Sequence, residues 1–153
     1  MRLTSFTDFG LRLLMRMAAE PQRLFTTEQL ARELELSRHH LVKVVGELRR
    51  AGIVDARKGA GGGICLGRPA AAISIGEVVR CLEKRSALVE CFRADGGLCT
   101  LTPSCRLRHR LAAAREAFLA ELDAASLAEC AWPSEPLPTV ASGAGAAGWE
   151  AST

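Results

Sequence analysis

The residues with the clearest capacity for chemistry are three cysteines in residues 91–105, CFRADGGLCTLTPSC. Cys91, Cys99 and Cys105 are separated by seven and five residues, and the glycines and proline between them favour turns over a helix or a strand. Such a stretch can fold back so that its three sulfurs converge on one point. Three thiolates bind zinc or an iron–sulfur cluster. The spacing therefore predicts a metal or iron–sulfur site carried by a loop.

Other kinds of site that these thiols could form are a zinc site, a redox-active pair and a catalytic nucleophile. A structural zinc site needs a fourth ligand and usually a C-x2-C pair, which the segment lacks; His109 could supply that ligand, although it is expected to face solvent. Clustered thiols can also oxidise reversibly. No histidine and asparagine constellation supports a cysteine nucleophile, so we do not expect an enzyme. Cys65 and Cys81 are interpreted as buried structural thiols, and no role is assigned to Cys130.

The length of 153 residues is that of one domain, or of one domain with a helical extension and a tail. No apolar run approaches the ~20 residues that cross a bilayer, and no signal-peptide cleavage site is evident. We therefore expect a cytoplasmic protein without a membrane partner, where six cysteines favour metal or redox chemistry. Residues 1–68 carry 12 basic and 7 acidic side chains, and residues 69–153 carry 8 and 10, which predicts a polyanion partner for the first half only.

Two helices joined by a tight turn form the first element that could place side chains on DNA. Thr26 with Gln29 offers a capping box for a short helix to about Leu34. Ser37 then opens a longer basic helix with Gly52 as its C-cap. This is a helix-turn-helix signature, and the first turns of the second helix would face base edges in the major groove. The alternative is a solvated basic face on a helical hairpin.

A glycine-rich hairpin follows directly. Residues 53–57 and 64–66 have strand character, with glycines at the tip between them. A basic hairpin after a recognition helix is typical of a winged helix-turn-helix, and the glycines match neither a dinucleotide fingerprint nor a P-loop. The residues predicted to contact DNA are Thr26, Thr27, Ser37, Arg38, His39, His40, Lys43, Arg57, Lys58 and Gly59.

Three further helices are predicted, over residues 4–20, from Ser74 to about Lys84, and over 104–128. Asp8 lies near the first turn of the first of these, where the helix dipole favours a carboxylate. Ser74 with Glu77 forms a second possible capping box. The long helix carries an apolar stripe that predicts pairing with a second subunit, the alternative being packing on its own chain. The stripe consists of Leu107, Leu111, Ala114, Phe118, Leu122 and Ala125.

The predicted fold class is mainly α with a small β-hairpin wing. Its parts are a winged helix-turn-helix DNA-binding domain (1–85), a cysteine-rich cluster-binding loop (86–106), a dimerisation helix (104–130) and a flexible C-terminal tail (131–153).

Five segments together resemble the dimeric winged-helix iron–sulfur regulators of the IscR/NsrR type. These are MRLTSFTDFGLR, SRHHLVKVVGELRRAGIV, RKGAGGGICLG, ISIGEVVR and LTPSCRLR. The resemblance covers about residues 1–130, and within the family it is greatest to the nitric-oxide-sensing repressors.

The resemblance implies an iron–sulfur cluster bound by Cys91, Cys99 and Cys105, with Asp8 of the partner subunit as the fourth ligand. IscR-type relatives instead use a histidine three residues after the last cysteine, where this chain has Arg108, so the nitric-oxide-sensing type is favoured. The interval between Cys91 and Cys99 is longer than is usual in these relatives. The implied cofactor is a 4Fe–4S cluster, with 2Fe–2S as the alternative.

The expected function is a homodimeric repressor that binds a palindromic double-stranded DNA operator. Nitric oxide would attack the cluster, and nitrosative-stress genes would then be derepressed. Two alternatives are a related regulator that senses cluster status or redox state through a 2Fe–2S centre, and a zinc- or thiol-based regulator.

Overall fold

The computed structural model describes residues 2–59, 61–84, 86–102 and 104–132. Over these residues the chain forms five α-helices and one antiparallel hairpin: α1 (Ser5–Ala19), α2 (Thr27–Glu33), α3 (Arg38–Arg50), β1 (Val54–Arg57), β2 (Gly63–Leu66), α4 (Ile75–Glu83) and α5 (Arg106–Asp123). Short 3-10 turns lie at Ala70–Ala72 and Glu90–Phe92. The predicted class, mainly α with a hairpin wing, is confirmed. None of the described helices is long and apolar enough to cross a membrane.

The core lies where α1, α3 and α4 meet. Their buried side chains recur at helical spacing: Leu13, Leu14 and Met17 from α1, Leu41, Val44 and Leu48 from α3, and Val78 and Val79 from α4. The three helices approach closely at Gly10, where an added methyl group would overlap Leu82 and touch Val44. A glycine is therefore needed at this crossing.

Local residues set the turn between α2 and α3. Thr26 Oγ1 accepts a hydrogen bond from the Gln29 amide at 3.1 Å, and Gln29 Oε1 accepts one from the Thr26 amide at 2.9 Å, so the predicted capping box is confirmed. Glu35 takes the left-handed conformation (φ 53°), which turns the chain towards α3. Ser37 is the N-cap residue of α3, but its side chain makes no capping hydrogen bond.

The end of α3 differs by one residue from the prediction. Ala51 is the C-cap, and Gly52 follows it with φ 68°. Glycine adopts this left-handed conformation without steric cost. The glycine thus ends the helix from the position just beyond the cap.

The predicted wing is confirmed as the antiparallel pair of β1 and β2, in which Ala56 lies opposite Ile64 and Arg57 opposite Gly63. A third segment joins its base. Phe25 and Ile64 exchange two backbone hydrogen bonds, at 2.9 and 2.7 Å. The wing is therefore fastened to the connection between α1 and α2, before the helix-turn-helix begins.

The start of α4 confirms only half of the predicted capping box. Ser74 Oγ accepts a hydrogen bond from the Glu77 amide at 3.0 Å. The carboxylate of Glu77 does not reach back to the cap, because it forms an ion pair with Arg68 at 2.6 Å. The ion pair with Arg68 thus takes the place of the second hydrogen bond of a capping box, from the Ser74 amide to the Glu77 side chain.

The long helix is shorter than predicted, spanning Arg106–Asp123 rather than 104–128, with Cys105 as N-cap. It ends where Asp123 forms a bidentate ion pair with Arg80 of α4. Beyond that point Ser126 pairs with Ser74 in an isolated β-bridge, so the backbone leaves the helix to join the start of α4.

The predicted apolar stripe of α5 divides into two parts. Phe118, Leu122 and Ala125 pack against the core of their own chain, whereas Leu107 is 62% exposed. At the C-terminal side the Trp132 amide donates to the Met15 carbonyl at 3.0 Å. The rest of the predicted tail, residues 133–153, lies outside the described residues.

Candidate nucleic-acid interface and metal centre

Helix α3 presents one basic face to solvent. Leu41, Val44, Val45 and Leu48 are buried on the side facing the core, whereas Arg38, His39, His40 and Lys43 are exposed. Within the described residues neither Arg38 nor Lys43 forms an ion pair, so both cations are available to an external anion. A helix fits the major groove of B-DNA, which is about 12 Å wide.

The remaining helix-turn-helix residues predicted to contact DNA differ in their availability. His40 is turned towards α1, with its ring centroid 6.1 Å from that of Phe9. Thr26 is exposed, but its hydroxyl is used by the capping box, and Thr27 is partly exposed in the first turn of α2. Ser37 is exposed and has no capping hydrogen bond, so its hydroxyl is free for another partner.

The wing adds a second basic surface. Arg57, Lys58 and Gly59 are all exposed, and in the part of the chain that the structure describes neither cation is in an ion pair. Gly59 has φ 106° and Gly61 φ 79°, values that glycine adopts readily. Close packing at Gly62, where a methyl group would overlap the Arg57 carbonyl, holds the tip in a tight turn.

The interval between Cys91 and Cys99 forms a compact turn of its own. Arg93 donates two hydrogen bonds to the Asp95 carboxylate, at 3.0 and 2.7 Å. Asp95 in turn accepts a hydrogen bond from the Gly97 amide at 3.1 Å, and Glu90 accepts one from the Leu98 amide at 3.3 Å. Residues 90 and 98 are thus hydrogen-bonded, and each directly precedes a cysteine. The long interval is thus closed by a hydrogen-bonded turn of its own.

The three cysteines themselves are free and partly exposed. Cys91 lies in the 3-10 turn Glu90–Phe92, Cys99 in irregular backbone, and Cys105 at the N-cap of α5. Among the described residues no three His, Cys, Asp or Glu side chains are close enough together to hold a metal ion. The predicted convergence of three sulfurs on one point is therefore not present in the single chain.

A partly buried arginine lies beside this segment. The Arg108 guanidinium carbon is 5.8 Å from the ring centroid of Phe92, the neighbour of Cys91. Its Nε is buried without a hydrogen-bond partner among the described residues. An unpaired buried donor is costly, and an anionic group beside it would remove that cost. Three free thiols and an orphaned N–H are a donor set that fits an anionic iron–sulfur cluster in chemical type.

Asp8 is on the surface of α1. Its carboxylate forms an ion pair with Arg12, one turn on, at 3.0 Å, and both side chains are about half exposed. Pairs of this kind contribute at most about 1 kcal/mol, so the carboxylate can exchange Arg12 for another partner. His109, the alternative fourth ligand, is exposed on α5.

Two other cysteines, predicted to be buried structural thiols, are only partly buried. Cys65 and Cys81 are both partly exposed, because Cys65 lies on the opposite face of β2 from buried Ile64 and Cys81 lies at the edge of the apolar face of α4. Burial still raises the pKa of the Cys81 thiol above its usual value, against a smaller opposing effect of Lys84. A thiol with a raised pKa is a poor nucleophile and metal ligand, which agrees with a structural role.

A carboxylate that the sequence did not single out joins the start of α1 to the end of α4. Glu83 Oε1 accepts hydrogen bonds from the Thr4 amide at 2.7 Å, the Thr4 hydroxyl at 2.8 Å and the Thr7 hydroxyl at 2.5 Å. Thr7 is fully buried. Burial alone would raise the pKa of Glu83, but the hydrogen bonds from Thr7 and Thr4 hold it below its usual value. The contact joins α1, which carries Asp8, directly to the end of α4, the helix that precedes the cysteine segment.

Comparison with known proteins agrees with a winged helix-turn-helix fold. The Rrf2 family model, described as an iron-dependent transcriptional regulator, matches residues 3–131. Among solved structures, CymR (YrzC), the global cysteine regulator of B. subtilis, has a TM-score of 0.67 at 28% identity, covering 86% of this chain and 96% of that one. The oxidized form of Staphylococcus aureus CymR has a TM-score of 0.65 at 28% identity, covering 89% and 100%.

T. potens IscR has a TM-score of 0.67 at 20% identity, covering 84% of this chain and 85% of that one, a likeness that shows the fold alone. The family-level resemblance predicted from the five sequence segments is confirmed by the match over residues 3–131. The chain belongs to the Rrf2 family: it is a DNA-binding transcriptional regulator and not an enzyme.

Proposed function

We propose that this regulator is a homodimeric repressor that senses nitric oxide through an iron–sulfur cluster and represses nitrosative-stress genes until the cluster is nitrosylated. The observation that carries the proposal is the closed turn between residues 90 and 98, since it accommodates the long Cys91–Cys99 interval. The buried, unpaired Arg108 Nε beside that turn adds a positive charge where an anionic group would bind.

DNA binding follows from the exposed cations. Arg38, His39 and Lys43 on α3 would face base edges and phosphates of the major groove, and Arg57 and Lys58 of the wing would reach the adjacent backbone. A palindromic operator presents two such sites about one helical turn apart, which requires a dimer. The exposed Leu107 end of α5 is the part of the apolar stripe left for a second subunit.

The ligands of the cluster would be Cys91, Cys99, Cys105 and Asp8 of the partner subunit. When bound, the cluster supplies iron that nitric oxide attacks. A carboxylate is a harder ligand than a thiolate and is less well matched to such iron, so Asp8 is the ligand most easily exchanged. The Arg12 pair holds Asp8 in its own chain when it is not coordinating.

Contacts within the chain connect Asp8 on α1 to the DNA-binding helix α3. Thr4 and Thr7 hold the start of α1 against Glu83 at the end of α4, and α1 packs on α3 through the crossing at Gly10. With a cluster bound, coordination by Asp8 would therefore fix the α3 helix of one subunit relative to the α3 helix of the other. Loss of this ligand would free the spacing of the two helices that the half-sites require.

The test is native mass spectrometry of protein purified without oxygen, before and after stoichiometric nitric oxide. A dimer with one 4Fe–4S cluster per subunit that converts to iron-nitrosyl species supports the proposal. A stable 2Fe–2S mass that ignores the gas favours a sensor of cluster status or redox state. Bound zinc, or bare thiols after careful reconstitution, removes the cluster from the function.

Asp8→Ala refines this test. The variant is expected to keep a cluster held by three cysteines while the nitrosylation rate and operator affinity change. Asp55→Ala is the matched control for the nitrosylation rate, because Asp55 is an exposed aspartate on the wing strand outside the proposed ligand set. Equal behaviour of Asp8→Ala and wild type in both measurements would remove Asp8 from the ligand set.

A thiol-based regulator is the second candidate. Two observations favour it: the three sulfurs are not gathered in the single chain, and CymR, at 28% identity, has been crystallised in an oxidized form. Mass spectrometry after mild oxidation separates the candidates, because a disulfide within the chain lowers its mass by two hydrogen atoms, whose electrons go to the added oxidant, and needs no metal.

A further inference from the structure

We propose that Val42 reads the 5-methyl group of a thymine in each half-site, an inference that rests on the proposed docking of α3 in the major groove. Val42 is 51% exposed, and within residues 2–59 and 61–84 it is the one large hydrophobic side chain that is exposed. Every other large apolar residue of these elements is at least partly covered by the chain. The exposed half of this apolar side chain is not covered by any of the described residues.

The surroundings of Val42 are cationic. It follows Arg38 and His39 by one helical turn and precedes Lys43, all of which are exposed. It is the fifth residue of α3, within the turns that contact base edges in helix-turn-helix proteins. These neighbours favour a polyanion over an apolar protein surface as the partner. Thymine carries the one apolar group on the base edges of the major groove.

The next position along the same face is also unexplained by internal packing. Gly46, four residues after Val42, lies in the interior of α3, where glycine costs about 1 kcal/mol relative to alanine. A methyl group added there would meet nothing within 4 Å, so neither backbone conformation nor packing within the described chain requires a glycine. A bare helix surface beside Val42 lets another molecule approach the backbone closely.

The side chain is suited to this contact. Valine in a helix has one strongly preferred rotamer, so its two methyl groups are already ordered before DNA binds. Burying the exposed half of this side chain against a methyl group would strengthen binding about fivefold per half-site. The neighbouring cations hold the helix in the groove, and Val42 distinguishes thymine from cytosine at one base pair.

The experiment begins by selecting duplexes from a randomised pool with the wild-type dimer. Each thymine of the selected duplex is then replaced singly by deoxyuridine, which removes only the methyl group, and affinity is measured by fluorescence anisotropy. We expect one thymine per half-site at which this change weakens wild-type binding about fivefold. We expect the difference in affinity between the thymine and deoxyuridine duplexes to be clearly smaller for Val42→Ala than for the wild type.

Lys43→Ala is the matched control, because it should weaken both duplexes and keep the thymine preference. Val42→Ala is expected to fold, since the residue is exposed and alanine favours a helix. If no thymine is sensitive to loss of its methyl group, or if Val42→Ala keeps the preference, the inference is wrong while DNA binding stands. If no sequence is enriched from the pool, the proposed docking itself is wrong.

Discussion

Replacing Glu83 by glutamine tests the hydrogen-bonded junction between α1 and α4. One oxygen, Glu83 Oε1, accepts from the Thr4 amide, the Thr4 hydroxyl and the Thr7 hydroxyl. A hydrogen bond to a charged group contributes about 1.5–3 kcal/mol and a neutral one about 0.5–1.5 kcal/mol. The lower ends of these ranges differ by about 1 kcal/mol per bond, and because Glu83 is partly exposed the loss for three bonds should be somewhat smaller than their sum. We therefore expect a loss of about 2 kcal/mol.

The assay is urea and thermal unfolding at neutral pH, with Glu121→Gln as the control. Glu121 is exposed on α5 and makes no ion pair among the described residues, so its substitution should stay within about 0.5 kcal/mol of wild type. Glu83→Gln should lower the thermal midpoint by about 4–8 °C in a domain of this size. Equal stability of the two variants would refute the assigned junction.

The pH dependence gives an independent check. The pKa of Glu83 lies below its usual value, so the charged form is favoured by folding. The stabilisation is complete above the unfolded pKa, about 4.3, and is lost as the pH falls through the lower, folded pKa. The difference between wild type and Glu83→Gln should therefore shrink below about pH 4. A difference that grows as the pH falls would contradict the reasoning.

Three further predictions concern other parts of the molecule. Gly76→Ala should lower the free energy of unfolding by about 1–3 kcal/mol, because the added methyl group would overlap Asp123. Gly46→Ala should raise it by up to about 1 kcal/mol, because the space around the added methyl group is open. Urea midpoints of the two variants will show whether the changes have these opposite signs. Lys43→Ala should reduce the slope of log affinity against log salt concentration by about 1 per subunit, and an unchanged slope would show that this side chain makes no phosphate contact. Arg108→Gln should lower the iron bound after anaerobic reconstitution without lowering the urea midpoint of the metal-free protein, and equal iron content would remove the guanidinium from the site.

The sequence predicted the elements whose causes are local. The Thr26–Gln29 capping box fixes its helix through residues three positions apart, and the strands of the wing follow from short apolar runs bounded by glycines. The core faces of α1 and α3 follow from helical spacing. In each case the decisive interactions join residues that are close in the chain, which is why pattern and capping rules were sufficient.

Contacts between distant residues escaped prediction. Thr4 and Glu83 are 79 positions apart, and no periodicity links a threonine at one helix start to a glutamate at another helix end. For the same reason the end of α5 was placed too late: the Arg80–Asp123 pair and the Ser74–Ser126 bridge stop it. Residue types in the cysteine segment suggested the ligands, but the spacing of three cysteines in a turn-rich loop does not determine the positions of their sulfur atoms.

The hydrogen bonds between Phe25 and Ile64 have a consequence for the kinetics of binding. The chain leaves Phe25, builds the helix-turn-helix and the first wing strand, and returns to the same point at Ile64, so the whole DNA-contacting unit is a closed ring. Helix and wing cannot swing apart without breaking that closure. Contacts in one half-site should consequently form and break together, and residence on DNA should be governed by single departures of a whole subunit rather than by gradual peeling of its wing.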